Sequence, residues 1–137
     1  MTQKSRITVA DVMTPSVRTI GGMATVREAI NTLRDADVSS LAVERRDADD
    51  EYGMVVVSDI AREVIAKDRS PDRVNVYEIM TKPVLCLPPN MDIKYAARLL
   101  VEFKLTRAMV VDQARAPVGI ITLRDMVLCH ADEKPSA

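Results

Sequence analysis

The pattern of apolar and polar positions occurs twice along the chain, about 67 residues apart. Apolar residues at positions i, i+3, i+4 and i+7 are typical of an amphipathic helix that packs one face on a core. This stripe is formed by Val26, Ala29, Ile30 and Leu33, and again by Ile93, Ala96, Ala97 and Leu100. A pattern repeated at a fixed period indicates two structural units of the same kind. We refer to them as copy one and copy two.

Each copy begins with a signal for a second, shorter helix. Thr8 is followed three residues later by Asp11, and Asn75 is followed by Glu78 at the same distance. A polar residue with an acid three positions on is typical of a capped helix N-terminus. Both predicted helices end near a Met-Thr pair with a proline close behind, so we expect them to be short.

Short runs of β-branched and apolar residues predict three strands in each copy. They cover residues 17–20, 41–43 and 54–57 in copy one, and residues 84–87, 108–111 and 120–123 in copy two. The last run of each copy is continuously apolar or β-branched, which is typical of a strand that is buried on both faces. We expect a helix to begin after it, at Asp59 in copy one and at Asp125 in copy two. Each copy therefore has the order helix, strand, helix, strand, strand, helix.

These elements set the expected boundaries. Copy one covers residues 7–66, a linker covers 67–75, copy two covers 76–130, and a disordered tail covers 131–137. A copy of roughly 60 residues would bury little apolar surface alone. We therefore expect the two copies to pack as one module.

The composition is that of an ordinary globular domain, with 47% hydrophobic residues, 28% charged residues and a formal net charge of -1. The near-neutral charge gives no basic surface for nucleic acid, so nucleic-acid binding is disfavoured. No apolar run approaches the roughly 20 residues of a membrane span. The N-terminus also lacks a signal-peptide pattern, which favours a cytoplasmic location.

Candidate chemistry for catalysis or metal binding is sparse. Cys86 and Cys129 lack paired spacing, so we expect both to be reduced and structural. His130 is the one histidine of the chain and has no partner cluster in the sequence. No nucleophile, paired acid and base, or set of metal ligands emerges. We therefore expect no catalytic residue, no metal site and no enzymatic activity.

Four segments together resemble the cystathionine-β-synthase domain, or CBS domain, a family that occurs in tandem pairs called Bateman modules. These segments are Asp-Val-Met-Thr at 11–14 and its counterpart Glu-Ile-Met-Thr at 78–81, Lys-Leu-Thr-Arg at 104–107, and Gly-Ile-Ile-Thr-Leu-Arg-Asp at 119–125. The resemblance covers residues 7 to 130. It implies an α/β fold of two pseudo-symmetric CBS repeats, each β-α-β-β-α after a short helix, packed as one compact Bateman module.

The segment 119–125 resembles the family's nucleotide-ribose motif, with Thr122 and Asp125 as its polar residues. The chemistry supports this assignment, because Thr122 ends a predicted strand and Asp125 lies at a helix N-terminus, where the dipole favours a carboxylate. An ionised carboxylate can accept hydrogen bonds from two vicinal hydroxyl groups. The alternative is that Asp125 only caps the helix and Thr122 only favours a strand.

The resemblance also implies further ligand contacts in copy two. Arg107 and Lys104 would reach the ligand phosphate, although a solvated rim would account for both residues equally well. Val84, Leu87 and Met109 would form apolar walls around the base. Core packing explains those three residues as well as ligand binding does.

Copy one departs from this pattern. Val56 stands where copy two has Thr122, and Ser40 stands where copy two has Arg107. The acid is retained as Asp59, so we expect Asp59 to form the weaker half-site. Two arginines of copy one could supply the missing cation, Arg18 and Arg62.

The resemblance implies a non-catalytic regulatory module that binds an adenine nucleotide or adenosine derivative in the cleft between the repeats and passes the binding state to a partner protein. AMP is the favoured ligand, followed by ADP, ATP and S-adenosylmethionine, and no obligatory cofactor is expected. We expect a homodimer. The alternative function is a structural or protein-interaction module that forms dimers and has no physiological nucleotide.

Overall fold

The predicted order of elements is present in both copies. The structure, a computed structural model, describes residues 6–131, and the predicted tail from residue 132 on lies outside the described residues. Copy one contains α1 (Val9–Val12), β1 (Thr19–Ile20), α2 (Val26–Ala36), β2 (Ser40–Val43), β3 (Gly53–Val56) and α3 (Val57–Ile60), which continues as a π-helix (Ala61–Ile65). Copy two contains a 3-10 helix (Val76–Glu78), β4 (Cys86–Leu87), α4 (Ile93–Glu102), β5 (Arg107–Val111), β6 (Pro117–Thr122) and α5 (Leu123–Leu128).

Each copy forms one three-stranded sheet with the strands in chain order. The first pair of strands is parallel and is connected by an amphipathic helix, whereas the second pair is antiparallel. This is the expected consequence of connection length, since parallel strands need a long crossover and antiparallel strands do not. The first strand of each sheet is two residues long, half the length that the sequence predicts.

The last helix of each copy begins two residues earlier than predicted. α3 begins at Val57 instead of Asp59, and α5 begins at Leu123 instead of Asp125. The reason is local, because each acid lies at the third helical position and its carboxylate bonds back to the backbone N–H three residues before it. The acids thus complete the first helical turn instead of preceding it.

The structure forms two compact units that do not coincide with the two copies. Each unit combines the opening segment of one copy with the sheet of the other copy. Unit 1 joins the segment that ends at Val17 to the segment that begins at Leu85, and unit 2 is Arg18–Val84. The α1 helix of copy one thus packs with the sheet of copy two, and the 3-10 helix that opens copy two packs with the sheet of copy one. The sequence pattern did not predict this exchange.

Reciprocal backbone hydrogen bonds fix each exchanged segment. In unit 1, the Thr14 N–H donates to the Ile120 carbonyl over 2.9 Å, and the Ile120 N–H donates back over 3.0 Å. In unit 2, Thr81 and Met54 make the same pair of bonds at 2.8 and 2.9 Å. The Met-Thr pairs therefore end the short helices and extend the sheets.

Each unit has its own apolar core between helices and sheet. The core of unit 1 includes the fully buried side chains Val9, Leu87, Ala96, Leu100 and Ile121. The core of unit 2 includes the fully buried side chains Val26, Ala29, Val55, Val64 and Val76. The predicted helical stripes thus supply both cores. None of the helices within residues 6–131 is long and apolar enough to cross a bilayer.

Candidate functional site

The junction between β6 and α5 brings Thr122 and Asp125 together. Thr122 is extended, with φ -120° and ψ 159°, and is the N-cap of α5. Its Oγ1 accepts a hydrogen bond from the Asp125 N–H over 3.0 Å, and its own N–H donates to Oδ2 of Asp125 over 3.2 Å. This reciprocal pair is a capping box. It holds both side chains in place, so the capping alternative and the binding alternative use the same geometry.

Asp125 keeps one carboxylate oxygen available. Within residues 6–131, no group donates a hydrogen bond to its Oδ1. The residue is half-buried and lies in the first turn of α5. A half-buried carboxylate oxygen without a donor is suited to accept hydrogen bonds from a ligand hydroxyl.

Arg107 lies beside this pair because of strand register. It is directly opposite Thr122 in the antiparallel β5–β6 ladder. Residues directly opposite each other share a face of the sheet and have neighbouring Cβ atoms. Arg107 is half-buried on this face. The structure thus gathers Arg107, Thr122 and Asp125 within unit 1.

Lys104 has a different setting from the other predicted polar residues. It is exposed in the turn between α4 and β5, with a left-handed φ of 58°. Its N–H donates to the Val101 carbonyl over 3.2 Å. Lys104 therefore ends α4 through its backbone and presents its side chain to solvent.

The three predicted base-wall residues have different settings. Leu87 is 1% exposed and belongs to the core of unit 1. Met109 is fully buried and alternates with the core residues Ala108 and Val110 along β5, so it lies on the face of Arg107. Val84 belongs to unit 2, where its N–H donates to the Tyr52 carbonyl over 3.3 Å. Their role as base walls stays a prediction.

The equivalent acid in unit 2 is bonded to an arginine. Asp59 is only 6% exposed, and its Oδ2 accepts from the Val56 N–H over 3.0 Å. Its Oδ1 accepts from Nη2 of Arg62 over 2.7 Å. The hydrogen bond and negative charge of Asp59 raise the pKa of the Arg62 guanidinium above its ordinary value. Ser40, which is opposite Val56, has no charge to add.

The two candidate compensating arginines thus have different surroundings. Arg62 forms an ion pair with Asp59, so its guanidinium is already engaged within the protein. Arg18 is exposed just before β1, and its carbonyl accepts from the Ala42 N–H over 2.9 Å. The sequence contained a signal for the Arg62 contact, since an arginine three residues after an acid on a helix faces that acid.

A second charged cluster in unit 2 was missed by the sequence analysis. The Asp50 side chain is 8% exposed, and its carboxylate contacts Nζ of Lys82 at 2.8 Å and Nε of Arg46 at 3.1 Å. The hydrogen bonds from Arg46 and then from Lys82 hold the pKa of Asp50 well below its usual range. This cluster fixes the charged turn between β2 and β3. In the part of the chain that the structure describes, no group of His, Cys, Asp and Glu is arranged to hold a metal ion.

An open groove of about 730 Å³ lies between α4 and α5 in unit 1. Apolar residues form most of its surface, including Ile93, Ala97, Met126 and Val127. Of these residues, Val127 is 68% exposed. This helical face is therefore suited to contact another protein surface.

Comparison with known proteins identifies the family. The family described as CBS domain matches residues 9–66 and 76–131. The chain belongs to this family. Two related proteins are the uncharacterized protein MK0525 of Methanopyrus kandleri, at 25% identity, and the CBS domain-containing protein YhcV of Bacillus subtilis, at 29% identity. Each alignment covers 88% of this chain, but 61% of MK0525 and 83% of YhcV.

Solved structures show the same fold. The hexameric CBS-CP12 protein from bloom-forming cyanobacteria is 34% identical, with a TM-score of 0.88 over 97% of this chain and 74% of that one. The CBS domain pair of protein MJ0100 has a TM-score of 0.80 at 22% identity, over 94% of this chain and 99% of that one. It was solved in complex with 5'-methylthioadenosine and S-adenosylmethionine. The fold is therefore that of the tandem CBS repeats expected from the sequence.

Proposed function

We propose that this member of the CBS domain family is a non-catalytic regulatory module that binds an adenosine-containing ligand through Arg107, Thr122 and Asp125. The observation that supports the proposal most strongly is the available Oδ1 of Asp125, held beside Thr122 and near Arg107. The binding state would be passed to a regulated partner protein, in the cytoplasm as the sequence predicts.

The arrangement suits a ribose with an anionic group attached. The two ribose hydroxyls would donate to the Asp125 carboxylate, and hydrogen bonds to a charged group contribute about 1.5–3 kcal/mol. Arg107 would meet a phosphate, for which a guanidinium is well shaped. Lys104 would reach further phosphates from the exposed turn.

The positive charge of Arg107 gives a ranking of the candidate ligands by expected affinity. A phosphate next to Arg107 gains attraction, whereas the positive sulfonium of S-adenosylmethionine does not. We therefore favour AMP, then ADP and ATP, then S-adenosylmethionine. MJ0100, which shares the fold, binds S-adenosylmethionine and 5'-methylthioadenosine, so both compounds belong in any test.

The base would lie against apolar side chains. Met109 is the best supported of the proposed walls, since it shares a sheet face with Arg107. Leu87 and Val84 are the other two residues proposed to form apolar walls around the base. Leu87 would contribute mainly by supporting β4 from the core, because it is almost fully buried.

We further propose that the chain forms a homodimer through helical faces. Val127 of α5 and Val101 of α4 are large apolar residues that are 68% and 67% exposed. A second copy would remove this surface from water. The related CBS-CP12 protein is a hexamer, so the dimer is the smallest assembly that we expect.

The decisive experiment is a thermal unfolding series on protein freed of co-purified nucleotide, with AMP, ADP, ATP, S-adenosylmethionine and 5'-methylthioadenosine at millimolar concentration. A ligand at about 100 times its Kd adds roughly 2.7 kcal/mol to stability and should raise Tm by several degrees. Guanosine and cytidine monophosphates are the matched controls. A melting curve that no adenosine compound moves would favour the alternative function, a protein-interaction module without a nucleotide.

A further inference from the structure

The two acids in the first turn of the equivalent helices α3 and α5 differ in one contact. Oδ2 of each acid accepts the backbone N–H three residues before it, at 3.2 Å for Asp125 and 3.0 Å for Asp59. Oδ1 of Asp59 also accepts from Arg62 at 2.7 Å, whereas within the described residues Oδ1 of Asp125 has no donor. The oxygen proposed to hold the ribose in unit 1 is thus already bonded in unit 2.

The difference comes from one sequence position. Arg62 lies three residues after Asp59, and the residue three positions after Asp125 is Leu128. Residues three apart on a helix are neighbours, so the arginine reaches its acid and the leucine offers no donor. Leu128 is 48% exposed, so an arginine side chain would have room at this position.

Arg62 is held in this position from a second side. Its Nε donates to Oε2 of Glu63 over 3.1 Å, while Glu63 also accepts from Nζ of Lys67 over 2.8 Å. The side chain of Arg62 is 60% exposed, so each of its ion pairs alone is weak. Together they orient the guanidinium over an acid that is itself 8% exposed at its side chain.

We infer that Arg62 closes the copy-one site to ligand, so that each chain takes one adenosine ligand, at Asp125. Positions 62 and 128 then determine which acid is open. This inference rests on the proposed function of unit 1. It adds the number of ligands per chain and names the residue that sets that number.

The first test is a reciprocal exchange measured by calorimetric titration of nucleotide-free protein with AMP. The parent should bind one AMP per chain. Leu128→Arg gives Asp125 an internal donor and should weaken AMP binding roughly fivefold or more, since a ligand hydroxyl must displace a charged partner. Leu128→Met is the matched control, with a long side chain that has no hydrogen-bond donor for Asp125, and its affinity should stay within about twofold of the parent.

The second test opens the closed site. Val56→Thr restores the hydroxyl that copy two has at Thr122, and this variant should still bind one AMP per chain. Adding Arg62→Leu should raise the number from one to two. A third variant that also carries Asp59→Ala should return to one AMP per chain.

A measurement without ligand separates this inference from the proposed function. Carbodiimide labelling followed by mass spectrometry should modify Asp125 readily in the parent and Asp59 poorly, and Arg62→Leu should increase the labelling of Asp59. Arg27→Leu, which removes a different arginine of unit 2 from its ion pair with Asp72, should leave Asp59 protected.

The outcomes are distinguishable. Two AMP molecules on the parent, or unchanged affinity in Leu128→Arg, would overturn the inference and leave the sensor function standing. Asp59 labelling that is insensitive to Arg62→Leu would also overturn it. A parent that binds no adenosine compound would refute the proposed function and the ligand count together, and the labelling would still show whether Arg62 covers Asp59.

Discussion

Gly119 and Met13 approach so closely that any larger residue at position 119 would force its neighbours to shift. A Cβ atom on Gly119 would lie 2.5 Å from Sδ of Met13 and 2.8 Å from the carbonyl oxygen of Thr14. The glycine does not have a positive φ, so its requirement is steric and not conformational. Gly119, the first residue of the segment 119–125, therefore leaves the space in which Met13 and Thr14 of copy one pack.

We expect Gly119→Ala to destabilise the protein by about 1–3 kcal/mol, the usual cost of overpacking. The backbone carbonyl of Thr14 cannot move without disturbing its hydrogen bonds with Ile120. Gly53→Ala is the matched change in unit 2 and should cost less, because its contacts are longer, at 2.9 Å to Sδ of Met80 and 3.2 Å to the Thr81 carbonyl. Urea denaturation measures both. A larger effect at Gly53 would contradict this account.

The sequence predicted the order of the elements but not the exchange of the opening segments. Order follows from local periodicity, and both amphipathic stripes are buried as predicted. The choice of sheet does not follow from local pattern, because Gly53 and Gly119 offer nearly equivalent sites to the Met-Thr pairs.

In the candidate site too, the sequence predicted the local contacts but not all of the long-range ones. The spacing of Thr122 and Asp125 on a strand and helix was sufficient to predict that they meet. The contact between Arg62 and Asp59 follows from their spacing of three residues on a helix. The sequence analysis instead considered Arg62 as a replacement for the missing phosphate-binding cation. The Asp50 and Lys82 contact joins residues 32 positions apart, and no local pattern indicates it.

Asp50 should make stability depend on pH in the acid range. Its carboxyl pKa is lowered in the folded state by Arg46 and Lys82, so its contribution is present above the unfolded pKa of about 3.9 and is lost as the pH falls below it. Asp50→Asn should therefore lower the free energy of unfolding at neutral pH. The gap between parent and variant should narrow towards about pH 3.

Urea denaturation across this pH range tests the Asp50 prediction. Asp49→Asn, in the same turn but exposed, is the matched control and should follow the parent at every pH. A gap for Asp50→Asn that stays constant from neutral to acid pH would show that the lost interaction is not with the ionised carboxylate.

The exposed helical face should mediate assembly. We expect the parent to sediment as a dimer of about 30 kDa, twice the 15.2 kDa chain. Val127→Glu places a charge where apolar surface would be buried and should shift the protein towards monomer. Met23→Glu, at an apolar residue that is 77% exposed in a turn of unit 2, is the control and should leave the dimer intact. A parent that is monomeric over a roughly tenfold concentration range above micromolar would refute the dimer.

The functional difference between the two acids can be measured directly. Asp125→Ala removes charge-assisted hydrogen bonds worth about 1.5–3 kcal/mol and should weaken AMP binding roughly 10- to 150-fold. Asp59→Ala should change the affinity for AMP by less than about twofold, because Oδ1 of Asp59 already accepts a hydrogen bond from Arg62. Calorimetric titration at a temperature well below the melting range measures both.

The capping role of the same residues must be separated from ligand binding. Asp125→Ala also loses the bond to the Thr122 N–H, which should cost about 0.5–2 kcal/mol of stability. Asp125→Asn keeps a carbonyl oxygen for that bond but removes the charge, so it should remain stable and still bind AMP weakly. Thr122→Val imitates Val56 and should weaken binding by several-fold at most, or about 0.5–1.5 kcal/mol. The assignment of the site to unit 1 fails if Asp59→Ala abolishes AMP binding while folded Asp125→Ala binds within about twofold of the parent.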